Sequence, residues 1–181
     1  MGTERLRVGE RLMDQADLTR RMEALEQRLA ALEAAEAIRD LKARYAALVD
    51  RRYRRGGGVV EAGELDRLAT EIAALFTADA VWDGGAGLGT CEGREAIHQR
   101  FRDPTLLFSW HYFVKPRIRV ADDRAEARWD LLAPCTTRDG RPHWMAGVED
   151  DAYRRVDGHW LHSRMKLSLV FMAPHDRGWV R

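Results

Sequence analysis

The segments AIRDLKARYAALVD, residues 37–50, and FSWHYFVKPRIRV, residues 108–120, say most about how this chain folds. The first has the apolar spacing of an amphipathic helix, with Tyr45 on its buried stripe and Asp50 at its end. The second is rich in aromatic residues, is predicted to be a strand, and carries His111 near its start. A tyrosine, an aspartate and a histidine that meet in one apolar pocket can move protons on a small molecule.

The segments around these two predict an α+β fold. Residues 62–76 show a second helical stripe, residues 80–82 a short strand and residues 94–101 a short helix. From residue 108 the reading is mostly strand, with hairpin turns at RDGRP and VDGH. The last strand, residues 160–172, is predicted to bury one face, which consists of Leu161, Met165, Leu167, Leu169 and Phe171. Helices followed by an antiparallel meander predict helices packed on one side of a curved sheet.

An apolar seam precedes the first of the two segments. Its members recur at alternating spacings of four and three, as in a coiled coil: Leu18, Met22, Leu25, Leu29 and Leu32. No glycine or proline interrupts residues 10–55, so this amphipathic helix is expected to run into the next, and three glycines at 56–58 are expected to end it. We divide the chain into a helical extension, residues 1–35, and a globular domain, residues 36–181. About two heptads are too few for a free coiled coil, so the seam is expected to pack on a partner subunit or on its own domain.

The composition is that of a globular protein and excludes several classes of function. Of 181 residues, 45% are hydrophobic and 33% are charged, and 30 basic against 29 acidic residues leave a formal net charge of +1. This balance gives no electrostatic drive toward nucleic acid or an anionic membrane, and no apolar run approaches the ~20 residues of a membrane span. No secretory signal and no metal-binding motif is recognisable. We therefore expect a cytoplasmic protein with free thiols at Cys91 and Cys135 and with neither a cofactor nor a metal.

The order of these segments resembles the SnoaL-like branch of the nuclear-transport-factor-2-like (NTF2-like) superfamily. Five segments within residues 36–173 carry the resemblance, in the order AIRDLKARYAALVD, LFTADAVWDGG, CEGREAIHQRF, HYFVKPRIRV and DAYRRVDGHWLHSR. The resemblance implies a cone-shaped, curved antiparallel or mixed sheet closed by helices, the cystatin-like α+β barrel. It is much less specific for an activity, because this fold hosts many functions.

Within that superfamily the chain is most similar to the lyases scytalone dehydratase, bile-acid 7α-dehydratase and lindane dehydrochlorinase. The resemblance implies that His111 is the base, that Asp50 pairs with it and that Tyr45 assists. An arginine on the last strand of several of these lyases falls on Met165 here, and the neighbouring Arg164 points to the opposite face of a regular strand. The implied function is a cofactor-independent lyase that performs an acid–base elimination, a dehydration, on a hydrophobic cyclic or polyketide-like molecule.

Each candidate site residue also has a purely structural interpretation. His111 could be a core histidine bonded to the backbone, Asp50 a surface charge at a helix end, and Tyr45 a buried aromatic residue. Asp130 lies among apolar neighbours, where an unpaired carboxylate would be costly. It could line the pocket beside His111 as a second acid, or form a salt bridge with Arg128 or another nearby arginine.

Other functions and the assembly stay open at this point. An isomerase or polyketide cyclase would use the same base without expelling a group. This chain could also be a non-catalytic structural subunit, because the β-subunits of ring-hydroxylating dioxygenases have this fold and a structural role. The resemblance further implies a homo-oligomer, with a trimer favoured and a dimer as the alternative. It also implies that the protein binds a hydrophobic small-molecule substrate. The connection at residues 51–65 looks longer than usual, which indicates a remodelled loop at the mouth of the pocket.

Overall fold

The computed structural model describes residues 15–176. Residues 1–14 of the predicted extension and residues 177–181 of the predicted domain lie outside the described residues. Helix α1 (Gln15–Asp50) is a single helix of 36 residues, as expected from the absence of glycine and proline. The boundary drawn between residues 35 and 36 therefore lies inside α1, close to Ile38, the first buried residue of the helix. Beyond α1 the chain folds back at the three glycines of residues 56–58, all of which have positive φ angles.

The elements after α1 alternate helices and strands and then become a meander. They are α2 (Ala62–Ala73), β1 (Phe76–Asp83), α3 (Gly85–Leu88), β2 (Thr90–Glu92), α4 (Arg94–Arg102), β3 (Phe108–Ser109), β4 (Tyr112–Ala121), β5 (Arg124–Thr136), β6 (Pro142–Val156) and β7 (His159–Pro174). The strands form one sheet in the order β2-β1-β7-β6-β5-β3, and β4 also pairs with β5. Only β1 and β7 run parallel among the described strands, so the sheet is mixed. The expected α+β fold is confirmed.

The core lies between the helices and the inner face of the sheet. Strand β5 shows the predicted alternation most clearly, because its odd-numbered residues from Ala125 to Cys135 are buried while the even-numbered ones are at least partly exposed. The buried stripe of α1 includes Ile38, Leu41 and Tyr45 and packs into the same cluster. Each large apolar side chain buried in this way contributes about 1.5–3 kcal/mol of transfer free energy. The core therefore joins the three longer helices, α1, α2 and α4, to the sheet.

Two predictions from the pattern were wrong, the end of α2 and part of the buried face of β7. Helix α2 ends at Ala73 rather than at residue 76, because the Leu75 carbonyl accepts the His162 N–H and draws the chain into the sheet. Strand β7 contains a bulge between His162 and Arg164, which changes the parity of the strand. Leu161 is consequently only partly buried, whereas His162 and Met165 are buried, and the far end of the strand at Leu169 is exposed.

Two further properties bear on function. No helix among residues 15–176 is long and apolar enough to cross a lipid bilayer. Cys91 and Cys135 are both free thiols, as expected, and burial raises the pKa of the Cys135 thiol to about 11.

Candidate active site

A cavity of about 60 Å³ lies between the C-terminal half of α1, helix α4 and strands β5, β6 and β7. Its walls are mostly apolar and include Trp82, Phe101, Leu106, Leu131, Met145 and Leu167. By this measure one water needs about 10–15 Å³, so the cavity as it stands admits a few waters, and a larger ligand must displace side chains at its mouth. A groove of about 1160 Å³ elsewhere on the surface contains none of the predicted site residues, and we therefore place the site in the smaller cavity.

His111 lines this cavity and forms a hydrogen-bonded pair with Asp50, which lies behind the wall. The Asp50 Oδ1 atom lies 2.6 Å from His111 Nδ1, and the carboxylate also accepts the His111 backbone N–H at 3.1 and 3.2 Å. An imidazole that donates Nδ1–H to a carboxylate has its Nε2 lone pair free to accept a proton. His111 Nε2 lies 3.4 Å from Ser109 Oγ, and both residues line the cavity. The pair therefore holds a base with its accepting nitrogen at the cavity.

The local environment explains why an aspartate is stable at the end of α1. A carboxylate at a helix C-terminus opposes the helix dipole, which is mildly unfavourable. The hydrogen bonds from the His111 ring and backbone offset this cost, and the Asp50 side chain is only 8% exposed. The alternative that Asp50 is a surface charge is therefore wrong, as is the alternative that His111 contacts only backbone.

Tyr45 lies one and a half turns before Asp50 and also lines the cavity. Its hydroxyl oxygen accepts the Trp82 Nε1–H at 3.4 Å, and its ring packs edge-on against Phe76 and Phe101. Burial raises the pKa of the Tyr45 hydroxyl well above its ordinary value, and the nearby Glu149 carboxylate raises it further. The hydroxyl therefore stays protonated and is suited to donate a hydrogen bond rather than to act as a base.

Asp130 does not belong to the cavity. Its carboxylate is bonded to Lys115 Nζ at 2.7 Å and is 39% exposed. The neighbouring residues Trp129 and Leu131 face the core, so strand parity turns Asp130 to the outer face of β5. The expectation of a second acid beside His111 is corrected to an ion pair, and its partner is Lys115 rather than an arginine.

A buried ion cluster beneath the cavity was not predicted from the sequence. Lys42 is 1% exposed and is bonded both to Glu149 and, at 2.8 Å, to Asp151 Oδ2. Glu149 is itself part of the cavity wall. The sequence carries a partial signal, because Lys42 lies on the apolar stripe of α1 and Glu149 and Asp151 share the parity of the buried Tyr153.

This ion cluster continues into a network of aromatic side chains. Tyr153 donates its hydroxyl to Asp151 at 2.9 Å and accepts the Trp129 Nε1–H at 3.2 Å. Burial raises the pKa of Asp151 to about 6, in spite of the positive charge of Lys42. Burial alone would lower the pKa of Lys42, but the charges of the two carboxylates outweigh it and that pKa is raised. Burial also lowers the pKa of His162, 3.9 Å from Asp151, well below its ordinary value.

The remaining expectations concern positive charge and metals. Met165 is 1% exposed and uncharged, while Arg164 lies on the exposed face of β7, so the last strand supplies no arginine to the cavity. The connection after α1 contributes to the cavity, because Arg52 and Tyr53 from it line the wall. Within residues 15–176, no group of three histidine, cysteine, aspartate or glutamate side chains is arranged to hold a metal ion.

Comparison with solved structures finds the same fold. A type 2 hexachlorocyclohexane dehydrochlorinase superposes with a TM-score of 0.65 and 24% identity, covering 79% of this chain and 89% of that one. A protein of Novosphingobium aromaticivorans DSM 12444, provisionally named a scytalone dehydratase, gives 0.65 and 21%, covering 83% and 91%. An NTF2-like protein with a cystatin-like fold, from Novosphingobium aromaticivorans, gives 0.60 and 23%, covering 88% and 92%. At these identities the likeness concerns the fold.

One curated relative matches over a shorter region. The urease accessory protein UreD of Rhodopseudomonas palustris (strain BisB18) is 41% identical in an alignment of 96 residues that covers 47% of this chain. The chain spans only 34% of that protein's length, so the role of UreD is not carried over.

The family is shown by a match over most of the sequence. The model of the SnoaL-like domain matches residues 30–166, a range that contains Tyr45, Asp50, His111 and every helix and strand from α2 to β6. The resemblance predicted from the five segments is thereby confirmed, and this chain belongs to the SnoaL-like domain family.

Proposed function

We propose that this protein is a cofactor-independent lyase that acts on a small, largely apolar molecule by acid–base elimination. The observation that carries the proposal is the hydrogen bond of 2.6 Å between Asp50 and His111 at the wall of an apolar cavity. A carboxylate in this position orients the ring and stabilises the imidazolium that forms when the base takes a proton. The fold is also that of proteins named as a dehydrochlorinase and a dehydratase.

The elimination follows from the arrangement of these groups. His111 Nε2 takes a proton from a substrate carbon, and the electron pair of that C–H bond forms a double bond to the adjacent carbon. The bond from that carbon to the leaving group breaks, and the leaving group departs with its electron pair. The Tyr45 hydroxyl donates a hydrogen bond to the departing oxygen or to an oxyanion that develops next to the reacting carbon. The proton on His111 then returns to solvent or to the expelled group.

The proposal is tested by identifying the product. The full-length protein is incubated with a panel of cyclic β-hydroxyketones and vicinally chlorinated cyclohexanes, and the products are measured by mass spectrometry. Loss of water or of hydrogen chloride above the rate seen with heat-denatured protein supports a lyase. Products of unchanged mass throughout the panel would instead assign an isomerase or cyclase, which the same base can serve.

For the assembly, we propose that the apolar seam of α1 packs on the seam of another copy of this chain. The side chains of Leu18, Met22, Leu25, Leu29 and Leu32 are 40–68% exposed in the single chain, so the seam does not cover its own domain. Oppositely charged residues flank it, as in paired helices. The expected assembly is a homo-oligomer, a trimer or, as the alternative, a dimer.

The double variant Leu25→Glu/Leu29→Glu is expected to dissociate this assembly, because each buried leucine contributes about 1.5–3 kcal/mol and buried charges are unfavourable. The matched control, Gln27→Glu/Ala31→Glu, adds the same charges to the far side of the helix and should leave the assembly intact. Light scattering at micromolar concentration measures both. A monomeric wild-type protein contradicts the assembly, and an oligomer that survives the leucine substitutions removes the seam from it.

A further inference from the structure

Two arginines in the cavity wall form no ion pair with a carboxylate of the described residues. Arg52 is 6% exposed, and Arg100 reaches the same wall from helix α4. Among the described residues, no carboxylate oxygen lies within 4.0 Å of either guanidinium. Burial lowers the pKa of Arg52; Tyr53, Tyr45 and the Asp50 carboxylate act in the opposite direction, and the like charge of Arg100 acts in the same direction as burial. Arg52 is thus a buried guanidinium with no carboxylate bonded to it, beside a second, partly exposed guanidinium, and a bound anion would stabilise both.

The hydrogen bonds of these two side chains fix their positions but leave some of their N–H groups without an acceptor. Arg52 donates to the carbonyl oxygens of Val49 and Phe101 and to the Tyr53 hydroxyl, at 3.1 to 3.4 Å. Arg100 donates to the Asp103 carbonyl and to Thr105 Oγ1, both at 3.2 Å. A guanidinium carries five N–H groups, so both retain free donors. The buried Nε atom of Arg100 has no hydrogen-bond partner at all.

Neutral contacts of this kind fix a guanidinium without neutralising it. The Arg52 Cζ atom lies 4.9 Å from the ring centroid of Phe101, and the Arg100 Cζ atom lies 5.3 Å from that of Trp82. These aromatic contacts hold both cations against the apolar wall. Positive charge is thus built into a cavity whose lining carboxylate, Glu149, is bonded to Lys42, while Asp50 behind the wall is bonded to His111.

We propose that Arg52 and Arg100 bind a carboxylate group of the substrate, which makes the substrate a small organic acid with an apolar body. A carboxylate is planar and matches the paired N–H groups of guanidinium. Bound there, it lies in the same cavity as His111 and Tyr45, so its apolar part is presented to the base. The identification of the ligand as a substrate rests on the proposed function, and the binding of the carboxylate does not.

The test is the binding of simple acids and their neutral amides to the full-length protein by calorimetry. Benzoate and cyclohexanecarboxylate are compared with benzamide and cyclohexanecarboxamide at low chloride and about pH 8, where an ordinary imidazole is neutral. Charge-assisted hydrogen bonds predict that each acid binds about tenfold or more tightly than its amide. Equal binding of acid and amide would overturn the proposal.

Variants assign the binding to these two residues. Arg100→Gln is expected to weaken benzoate binding about tenfold while benzamide binding stays unchanged. The matched control is Arg102→Gln, on the same helix, whose guanidinium is paired with Asp66 outside the cavity. Arg52→Lys keeps the buried charge but loses the planar fork and should also weaken benzoate. Equal effects of the Arg100 and Arg102 variants would overturn the assignment. This assay needs no turnover, so its failure leaves the elimination open, and failure of the elimination leaves the carboxylate site intact.

Discussion

Replacement of Lys42 by methionine is expected to destabilise the fold by about 3–5 kcal/mol. The ammonium group is 1% exposed and is the only cation within 4.0 Å of Glu149 among the described residues. Its other partner, Asp151, is as deeply buried. Methionine has a similar length and no charge, so the variant keeps the packing of α1 and leaves two buried carboxylates without compensation. Urea denaturation followed by circular dichroism measures the loss.

Two comparisons separate the lost charge from lost packing. The triple variant Lys42→Met/Glu149→Gln/Asp151→Asn removes all three charges and is expected to be more stable than Lys42→Met alone. Lys166→Met removes an exposed lysine and should change stability by no more than about 0.5 kcal/mol. If the triple variant is as unstable as the single one, the cost lies in packing and the electrostatic account is wrong.

The pH dependence of the single variant gives an independent check. Asp151 has a folded-state pKa of about 6 against an ordinary value of 3.8, because it is buried. A carboxyl group whose folded pKa is the higher one binds its proton more tightly in the folded state. Its contribution to stability therefore rises as the pH falls through 6 toward 4. Lys42 favours the ionised form of Asp151, so its removal raises the folded-state pKa of Asp151 further above the unfolded value. The variant then gains more stability than the wild-type protein as the pH falls, and the destabilisation caused by Lys42→Met should shrink between pH 7 and pH 5.

The parts of the fold that the sequence predicts are those with a local cause. The apolar stripe of α1 and the alternation of β5 follow from helix and strand periodicity, so they place Tyr45 and Trp129 in the core correctly. The same alternation, applied strictly, would have turned Asp130 outward. A bulge such as the one in β7 changes which residues face the core, and no residue type marks it in the sequence as clearly as proline marks a break. The prediction that Leu161 is fully buried was therefore wrong.

The charged groups of the site required tertiary structure. Lys42 meets Glu149 across 107 residues of sequence, and periodicity predicts only that each is buried, not that they are partners. The run RRYRR, residues 51–55, does not reveal which of its arginines turns inward, because that depends on the Phe101 carbonyl and the Tyr53 hydroxyl. The Asp50–His111 pair was predictable because the family resemblance named both residues.

Substitution of Asp50 by asparagine is expected to lower kcat for the elimination by about a hundredfold to ten-thousandfold. Asparagine has nearly the same shape, and its oxygen can still accept the His111 backbone N–H. It lacks the negative charge that stabilises the imidazolium, and its amide can present N–H groups to Nδ1, which would favour the unproductive tautomer. Stability should change little, because the weaker hydrogen bonds of the amide to His111 are offset by relief of the unfavourable interaction between the carboxylate and the helix dipole.

The matched controls for this prediction are Asp130→Asn and His111→Ala. Asp130→Asn removes an exposed carboxylate from the outer face of β5 and should leave kcat within about twofold, because a surface ion pair is worth little. His111→Ala removes the base itself, so combining it with Asp50→Asn should add almost nothing, as for residues that act as a unit. Rates are measured on whichever substrate of the panel the wild-type protein turns over. If Asp50→Asn retains near wild-type kcat, or if its loss adds fully to that of His111→Ala, the two residues do not act together and His111 is not a base that Asp50 supports.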